Sequence, residues 1–228
     1  GRHRVVTERT RLAMPETGIG YFPDVGATWL LPRMPGETGT WAGLTGLEMN
    51  ATDALYAGLA DVKIASSRLP EMIDALARMP LGSSSTAVDA LLKHIAIHPH
   101  AGHPQHNREV IDRAFRFDSV EEIVAALEAE EGEFAAETRA TILKRSPTSL
   151  KVTLRLLRQG RASADLAECL NRELAACMQI LKTPDFYEGV RAAVIDKDRN
   201  PKWKPAELAA VSPEAIEPFF GSVKPLAL

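Results

Sequence analysis

Apolar residues come in short, broken runs over the first seventy positions and then settle into a helical period for most of the remaining chain. Val5, Val6, Thr7, Thr10, Leu12 and Met14 predict one or two short strands over 4–14. The stretch 15–26 is irregular, because Gly18, Gly20, Pro23 and Gly26 interrupt any ladder or helix. A short helix over 25–31, closed by Pro32, follows, and another over 52–57 stops at Gly58. Residues 59–64 (LADVKI) read as a strand.

Beyond residue 70 the pattern is almost wholly helical, with loops expected at 81–85 and 98–107. Ser119 and Glu122 have capping-box spacing ahead of Val120, Ile123, Val124 and Leu127. Ser146-Pro147 opens a helix that buries Leu150, Leu154 and Leu157 and ends at Gly160. Ser163 opens a longer one whose core stripe is Leu166, Leu170, Leu174, Cys177 and Leu181. Asp185 and Glu188 repeat the capping-box spacing before Val190 and Val194. The organisation is a mixed region, 1–69, and a helical region, 70–228, with no flexible linker and no fixed-period repeat.

Composition narrows the function classes. At 228 residues, 45% hydrophobic and 25% charged, the chain is an ordinary globular one. A net charge of -3 without a long basic run argues against nucleic acid as a partner. The apolar runs are too short for a membrane helix, and no signal-like segment opens the chain. Cys169 and Cys177 read as buried thiols of a cytoplasmic protein rather than a disulfide frame.

The chemistry concentrates in MPETGIGYFPDVG, 14–26, where Glu16 and Asp24 stand eight positions apart with no lysine or arginine between them. Apolar neighbours would desolvate Glu16 and raise its pKa toward the range of a general acid or base, and a second carboxylate would assist it. The plainer alternative makes Asp24 an N-cap for the helix after it and Glu16 the partner of Arg11 or Arg33. Five histidines crowd 94–106, and His94/His98 has zinc-type i,i+4 spacing, but no acid or thiolate completes the set; a solvated loop is the reading. Asp196, Asp198, Asn200 and Glu207 imitate a calcium loop, yet its sixth position is Pro201 where glycine is needed, so a polar turn is expected. No metal site is assigned. Phosphate-cradling glycine motifs and the Gly-x-Ser-x-Gly elbow are absent.

The segment MPETGIGYFPDVGATWLLPR (14–33) resembles the active-site segment of the enoyl-CoA hydratase/isomerase (crotonase) superfamily, in particular its branch acting on 3-hydroxyisobutyryl-CoA. Leu44-Thr45-Gly46 with Ala57-Gly58-Leu59-Ala60 resembles the superfamily's "LTG…AGLV" pattern, and SPTSLKVTLRLL (146–157) and DFYEGVRAAVIDKDRNPKWKP (185–205) resemble that branch's last helices and tail. The resemblance implies an α/β crotonase spiral, of which this chain would be the C-terminal part, mainly helical with a few short strands. It implies hydrolysis of a short branched β-hydroxyacyl-CoA thioester, with Glu16 as base or nucleophile, Asp24 assisting, and Gly20 and Phe22 joining both acids in substrate binding. No cofactor is implied, since CoA is part of the substrate. The implied partners are the acyl-CoA and the N-terminal part of the same protein, which would supply most of the CoA pocket and the oxyanion-hole N–H groups; a homo-oligomer is compatible. Enoyl-CoA hydration or dienoyl-CoA isomerisation is the rival chemistry, and a non-catalytic helical interaction module the rival of another class.

Overall fold

The computed structural model describes residues 1–98 and 100–221. Its strands are β1 (Val5–Val6), β2 (Arg11–Leu12), β3 (Met49–Asn50) and β4 (Val62–Lys63). The helices of its first half are α1 (Ala27–Leu30), α2 (Thr38–Thr45), α3 (Ala51–Tyr56), α4 (Leu69–Ala77), α5 (Ser85–Ile95), α6 (His103–His106) and α7 (Arg108–Phe115). Those of the second half are α8 (Val120–Ala129), α9 (Glu133–Ile142), α10 (Pro147–Ala162), α11 (Leu166–Ile180), α12 (Pro184–Val190) and α13 (Pro213–Ile216). The chain separates into two compact units that interleave in sequence, where the sequence suggested a single cut at 69/70.

One unit joins Gly1–Ala13 to Glu48–His106. Pairing across the gap explains the interleaving: β1 runs parallel to β4 (Val5 opposite Val62), and β2 antiparallel to β3 (Arg11 opposite Asn50). The ladders are two residues long, shorter than the strands read from the sequence, and Val6, Ala51, Ala54 and Ala60 fill the small core beneath them. A complete capping box lies here. Asn50 Oδ1 accepts from the Thr52 and Asp53 N–H groups (2.8 and 3.1 Å), and Asp53 Oδ2 accepts from Asn50 N–H (3.0 Å). At Ser119 the hydroxyl does cap Glu122 N–H (3.1 Å), but the Glu122 carboxylate receives that hydroxyl's proton instead of the backbone N–H a box requires. Helix α5 ends at Ile95, so His94 and His98 do not share a helix face, and α6 is a short helix inside the loop expected at 98–107. Pro99 lies outside the described residues.

The other unit joins Met14–Leu47 to the chain from Asn107 onward. Helix α10 is its axis. Proline at its first turn and the Ser146 cap (Oγ accepting from Ser149 N–H, 3.2 Å) start it as expected, and Leu150, Val152, Leu154, Leu156 and Leu157 are all buried. Each such side chain contributes roughly 1.5–3 kcal/mol. Gly160 does not end the helix, which continues to Ala162. It is buried against α1, where an added Cβ would overlap the Thr28 carbonyl oxygen. The glycine is there for close approach of two backbones. Gly160→Ala is therefore expected to destabilise the protein by about 1–3 kcal/mol, the usual penalty of overpacking, as read from a denaturant midpoint.

Two further expectations fail for physical reasons. Asp165, not Ser163, caps α11, accepting from Glu168 N–H (2.8 Å). The buried face of α11 is Cys169, Glu173, Ala176 and Ile180, while Leu166 is exposed and Leu170, Leu174 and Cys177 are half-buried. Small residues on the inner face let α11 approach closely, which turns the leucines outward. Asp185 does not cap α12 either: it is buried, accepts from Ser146 Oγ (2.6 Å) and Lys204 N–H (2.7 Å), and so clamps the tail onto the start of α10. Glu188 bonds Arg191 and Lys202 N–H instead, and Val194 is exposed. The calcium-like segment is a polar turn, with Asp196 and Asp198 both held by Arg191 (2.6 and 2.7 Å).

Candidate active site

The segment carrying the two acids is pinned along its length. Glu16–Ile19 forms one 3-10 turn, with Tyr21 N–H donating to Glu16 C=O (3.0 Å). Thr17 is fully buried; its hydroxyl donates to Leu44 C=O (3.1 Å) and its carbonyl accepts from Ser146 N–H (3.1 Å). Gly20 then turns the chain at φ +71°, against the backbone of Asp185 and Phe186, where no side chain fits. Phe22 is fully buried among Val152, Leu156, Ala176 and Ile180. Gly20 and Phe22 thus serve packing, and the carboxylates are what the segment offers to chemistry.

Glu16 is half-buried, and among the described residues its Oε2 is buried with no hydrogen-bond partner. Burial raises its pKa above the ordinary carboxylate value, the Asp24 charge raises it further, and a backbone N–H offsets part of this. The two acids therefore sense each other electrostatically. Neither plain alternative describes them. Arg11 pairs with Glu48, while Arg33 stacks on Trp29 and donates to the carbonyls of Trp29 (2.7 Å), Gly160 (3.1 Å) and Ser163 (3.3 Å). The N-cap of α1 is Gly26, and the Asp24 side chain makes no capping bond.

Capping falls to Glu173, a residue the sequence reading missed. From α11, 4% exposed, it accepts from Gly26 N–H (Oε2, 2.9 Å), Thr28 N–H (Oε1, 3.0 Å) and the Thr28 hydroxyl (Oε1, 2.6 Å). A carboxylate at a helix N-terminus meets unsatisfied N–H groups and the positive end of the helix dipole. It also stabilises a strained turn: Val25, a β-branched residue, sits at φ +50° and is 80% exposed, followed by Gly26 at φ +88°. Non-glycine residues in this region cost of order 1–3 kcal/mol and persist only where surrounding structure holds them. A signal for Glu173 existed in its spacing with Cys169, Ala176 and Ile180, once that face is recognised as the inner one.

Asp24 opens onto a cavity of about 240 Å³, lined also by Tyr21, Val25, Leu170, Glu173, Leu174 and Cys177. The Tyr21 phenol is pushed above its ordinary pKa, first by burial, then by the Cys177 sulfur and the Asp24 carboxylate beside it, so it stays a proton donor. Its ring stacks on Phe22 at 4.5 Å. A larger depression of about 340 Å³, between Ser119 and Ile216, contains neither acid. Among the described residues, no group of three His, Cys, Asp or Glu side chains is placed to hold a metal ion, and no helix is long and apolar enough to cross a membrane.

A family model described as enoyl-CoA hydratase/isomerase matches residues 1–220. Among curated proteins, the chain is 39% identical over 234 residues to "Probable 3-hydroxyisobutyryl-CoA hydrolase 3" of Arabidopsis thaliana, covering 98% of this chain and 61% of that protein. It is 40% identical over 227 residues to "3-hydroxyisobutyryl-CoA hydrolase, mitochondrial" of Danio rerio, covering 98% and 59%. Among solved structures, a carnitinyl-CoA dehydratase from Mycobacterium thermoresistibile superposes with a TM-score of 0.89 at 38% identity, over 99% of this chain and 63% of that one. An enoyl-CoA hydratase from Rhodobacter sphaeroides superposes with a TM-score of 0.85 at 36% identity, over 98% and 63%. The chain thus spans about three fifths of the length of these relatives.

Proposed function

The chain belongs to the enoyl-CoA hydratase/isomerase family and shares the crotonase fold of its structural neighbours, and from that premise we propose that its protein hydrolyses a short branched β-hydroxyacyl-CoA thioester. The substrate that fits best is 3-hydroxyisobutyryl-CoA, giving 3-hydroxyisobutyrate and CoA in valine breakdown. One observation carries this reading: Glu16 Oε2 is buried and has no partner among the described residues, and the charge of Asp24 acts on it. An idle buried carboxylate oxygen costs stability, so its setting is explained by a proton or electron pair it must deliver.

In this reading water adds to the thioester carbonyl as Glu16 takes its proton, or Glu16 itself adds and water cleaves the resulting mixed anhydride. In the first route the C–S bond breaks once water has added. In the second it breaks as the anhydride forms and before water cleaves it, and in either the thiolate leaves with a proton as CoA. The Asp24 charge raises the pKa of Glu16 and so makes it a stronger proton acceptor. The N–H donors for the oxyanion belong, in the same proposal, to the N-terminal part of the protein. Cytoplasmic localisation, read from two unpaired cysteines, is also part of it, although the name of the Danio rerio relative places that protein in mitochondria. The names of the structural neighbours favour hydration or dehydration as the second reading.

Asp24→Asn in the complete protein tests the pair. Hydrolysis is expected to fall by about 10² or more, within the range assigned to proton-transfer groups. Because the Asp24 charge raises the pKa of Glu16, the acid limb of the remaining pH–rate profile should move to lower pH. Asp24→Ala should shift stability by no more than about 0.5 kcal/mol, since no capping bond is lost. Unchanged turnover and an unmoved acid limb in Asp24→Asn would remove Asp24 from the mechanism.

A further inference from the structure

We propose that the cavity beside Asp24 is the acyl pocket, and that Leu170 and Leu174 on α11 set the size of acyl group it accepts. The inference rests on the thioester reading of Glu16 and Asp24 and adds to it the residues that choose the substrate.

Helix α11 carries an apolar stripe that the core does not use. Leu170, Leu174 and Cys177 recur at helical spacing, yet α11 packs inward through Cys169, Glu173, Ala176 and Ile180. Half-buried leucines forgo part of the stabilisation of burial, roughly 25 cal/mol per Å² of apolar surface. Here they line a cavity that the Asp24 carboxylate also lines. Apolar side chains with a small number of polar groups among them are the usual composition of a small-molecule site.

Charge then selects the ligand's chemistry. None of the cavity's lining residues is cationic, and of its two carboxylates Glu173 is fully engaged with Gly26 and Thr28. The phosphate end of an acyl-CoA has nothing to bind here. A neutral acyl group does: its branch can lie on Leu170 and Leu174, and a β-hydroxyl can reach the Tyr21 phenol and the Cys177 thiol, which sit together at the Asp24 side. At about 240 Å³ the cavity is smaller than the roughly 300–1,000 Å³ of sites for drug-sized ligands, which restricts it to a short chain.

The test uses the complete protein with 3-hydroxyisobutyryl-CoA and a longer straight-chain 3-hydroxyacyl-CoA. Two ratios are read for wild type, Leu174→Ala and Leu174→Val: kcat/KM for the two substrates, and Kd for their non-hydrolysable thioether analogues by calorimetry. Shortening Leu174 should shift both ratios toward the longer chain by about tenfold or more, since one methylene in an apolar pocket is worth roughly 10–200-fold. The valine variant removes a single methylene and secures the comparison if the alanine variant folds poorly; it should shift the ratios in the same direction and by less. Ratios within about twofold of wild type in both variants would overturn the proposal. If wild type cleaves no thioester, the hydrolase reading fails, while the calorimetric ratio still decides whether this cavity holds the acyl group.

Discussion

Glu16→Gln in the complete protein is expected to lower kcat for thioester hydrolysis by ~10²–10⁴, the range assigned to a general base or nucleophile. The change keeps the size of the side chain and removes its charge. Stability should hold or rise at neutral pH, and the sign follows from linkage. The folded-state pKa of Glu16 is raised by burial, so the folded chain binds its proton more tightly than the unfolded chain does. That contribution is complete below the ordinary glutamate value near 4.5 and is lost as pH rises through the raised one. At neutral pH the ionised Glu16 is a cost, which glutamine lifts. Steady-state kinetics and a denaturant titration on one preparation would check both halves. A variant that keeps more than about a tenth of wild-type kcat would exclude either chemical role for Glu16.

The largest expected loss of stability falls on Glu173. Glu173→Ala removes three charge-assisted bonds from a site 4% exposed, leaving two backbone N–H groups and the Thr28 hydroxyl without their acceptor. Hydrogen bonds to charged groups contribute about 1.5–3 kcal/mol each, and water can replace some of them, so a loss of about 3–4 kcal/mol is expected. The strained turn at Val25 should relax at the same time and carry Asp24 with it. Turnover should therefore fall in molecules that remain folded, below the denaturation midpoint, which separates a displaced Asp24 from simple unfolding. Glu173→Gln, which retains one acceptor oxygen, should lose less on both counts.

The contrast between Glu16 and Glu173 shows what the sequence carries. Glu16 and Asp24 were legible because their chemistry is local: two acids among glycine, proline and apolar residues form a pattern within one segment. Helix starts at Ser146-Pro147 and the stop at Gly58 were legible for the same reason, since a cap or a left-handed turn is decided within a few residues. Glu173 acts on Gly26, 147 positions away, and Gly160 and Asp185 likewise owe their roles to residues distant in sequence. Nothing within one helix reports such a partner. The leucines of α11 were misread differently: spacing reveals that a helix has an apolar side, but the closer-packing side here is the one lined by cysteine and alanine. The cut at 69/70 assumed that neighbours in sequence fold together, whereas 14–47 group with the chain from Asn107 onward and 48–106 with the first thirteen residues.

The central claim is that this pair of acids serves cleavage of a thioester and not addition of water to a double bond. The complete protein, given 3-hydroxyisobutyryl-CoA and the corresponding enoyl-CoA in parallel, can be followed by trapping free CoA thiol and by the absorbance of the conjugated thioester. Thiol release from the hydroxyacyl substrate, abolished by Glu16→Gln, with no loss of conjugated absorbance from the enoyl substrate is the expected result. Loss of that absorbance without release of thiol from either substrate would contradict the account and make the protein a hydratase.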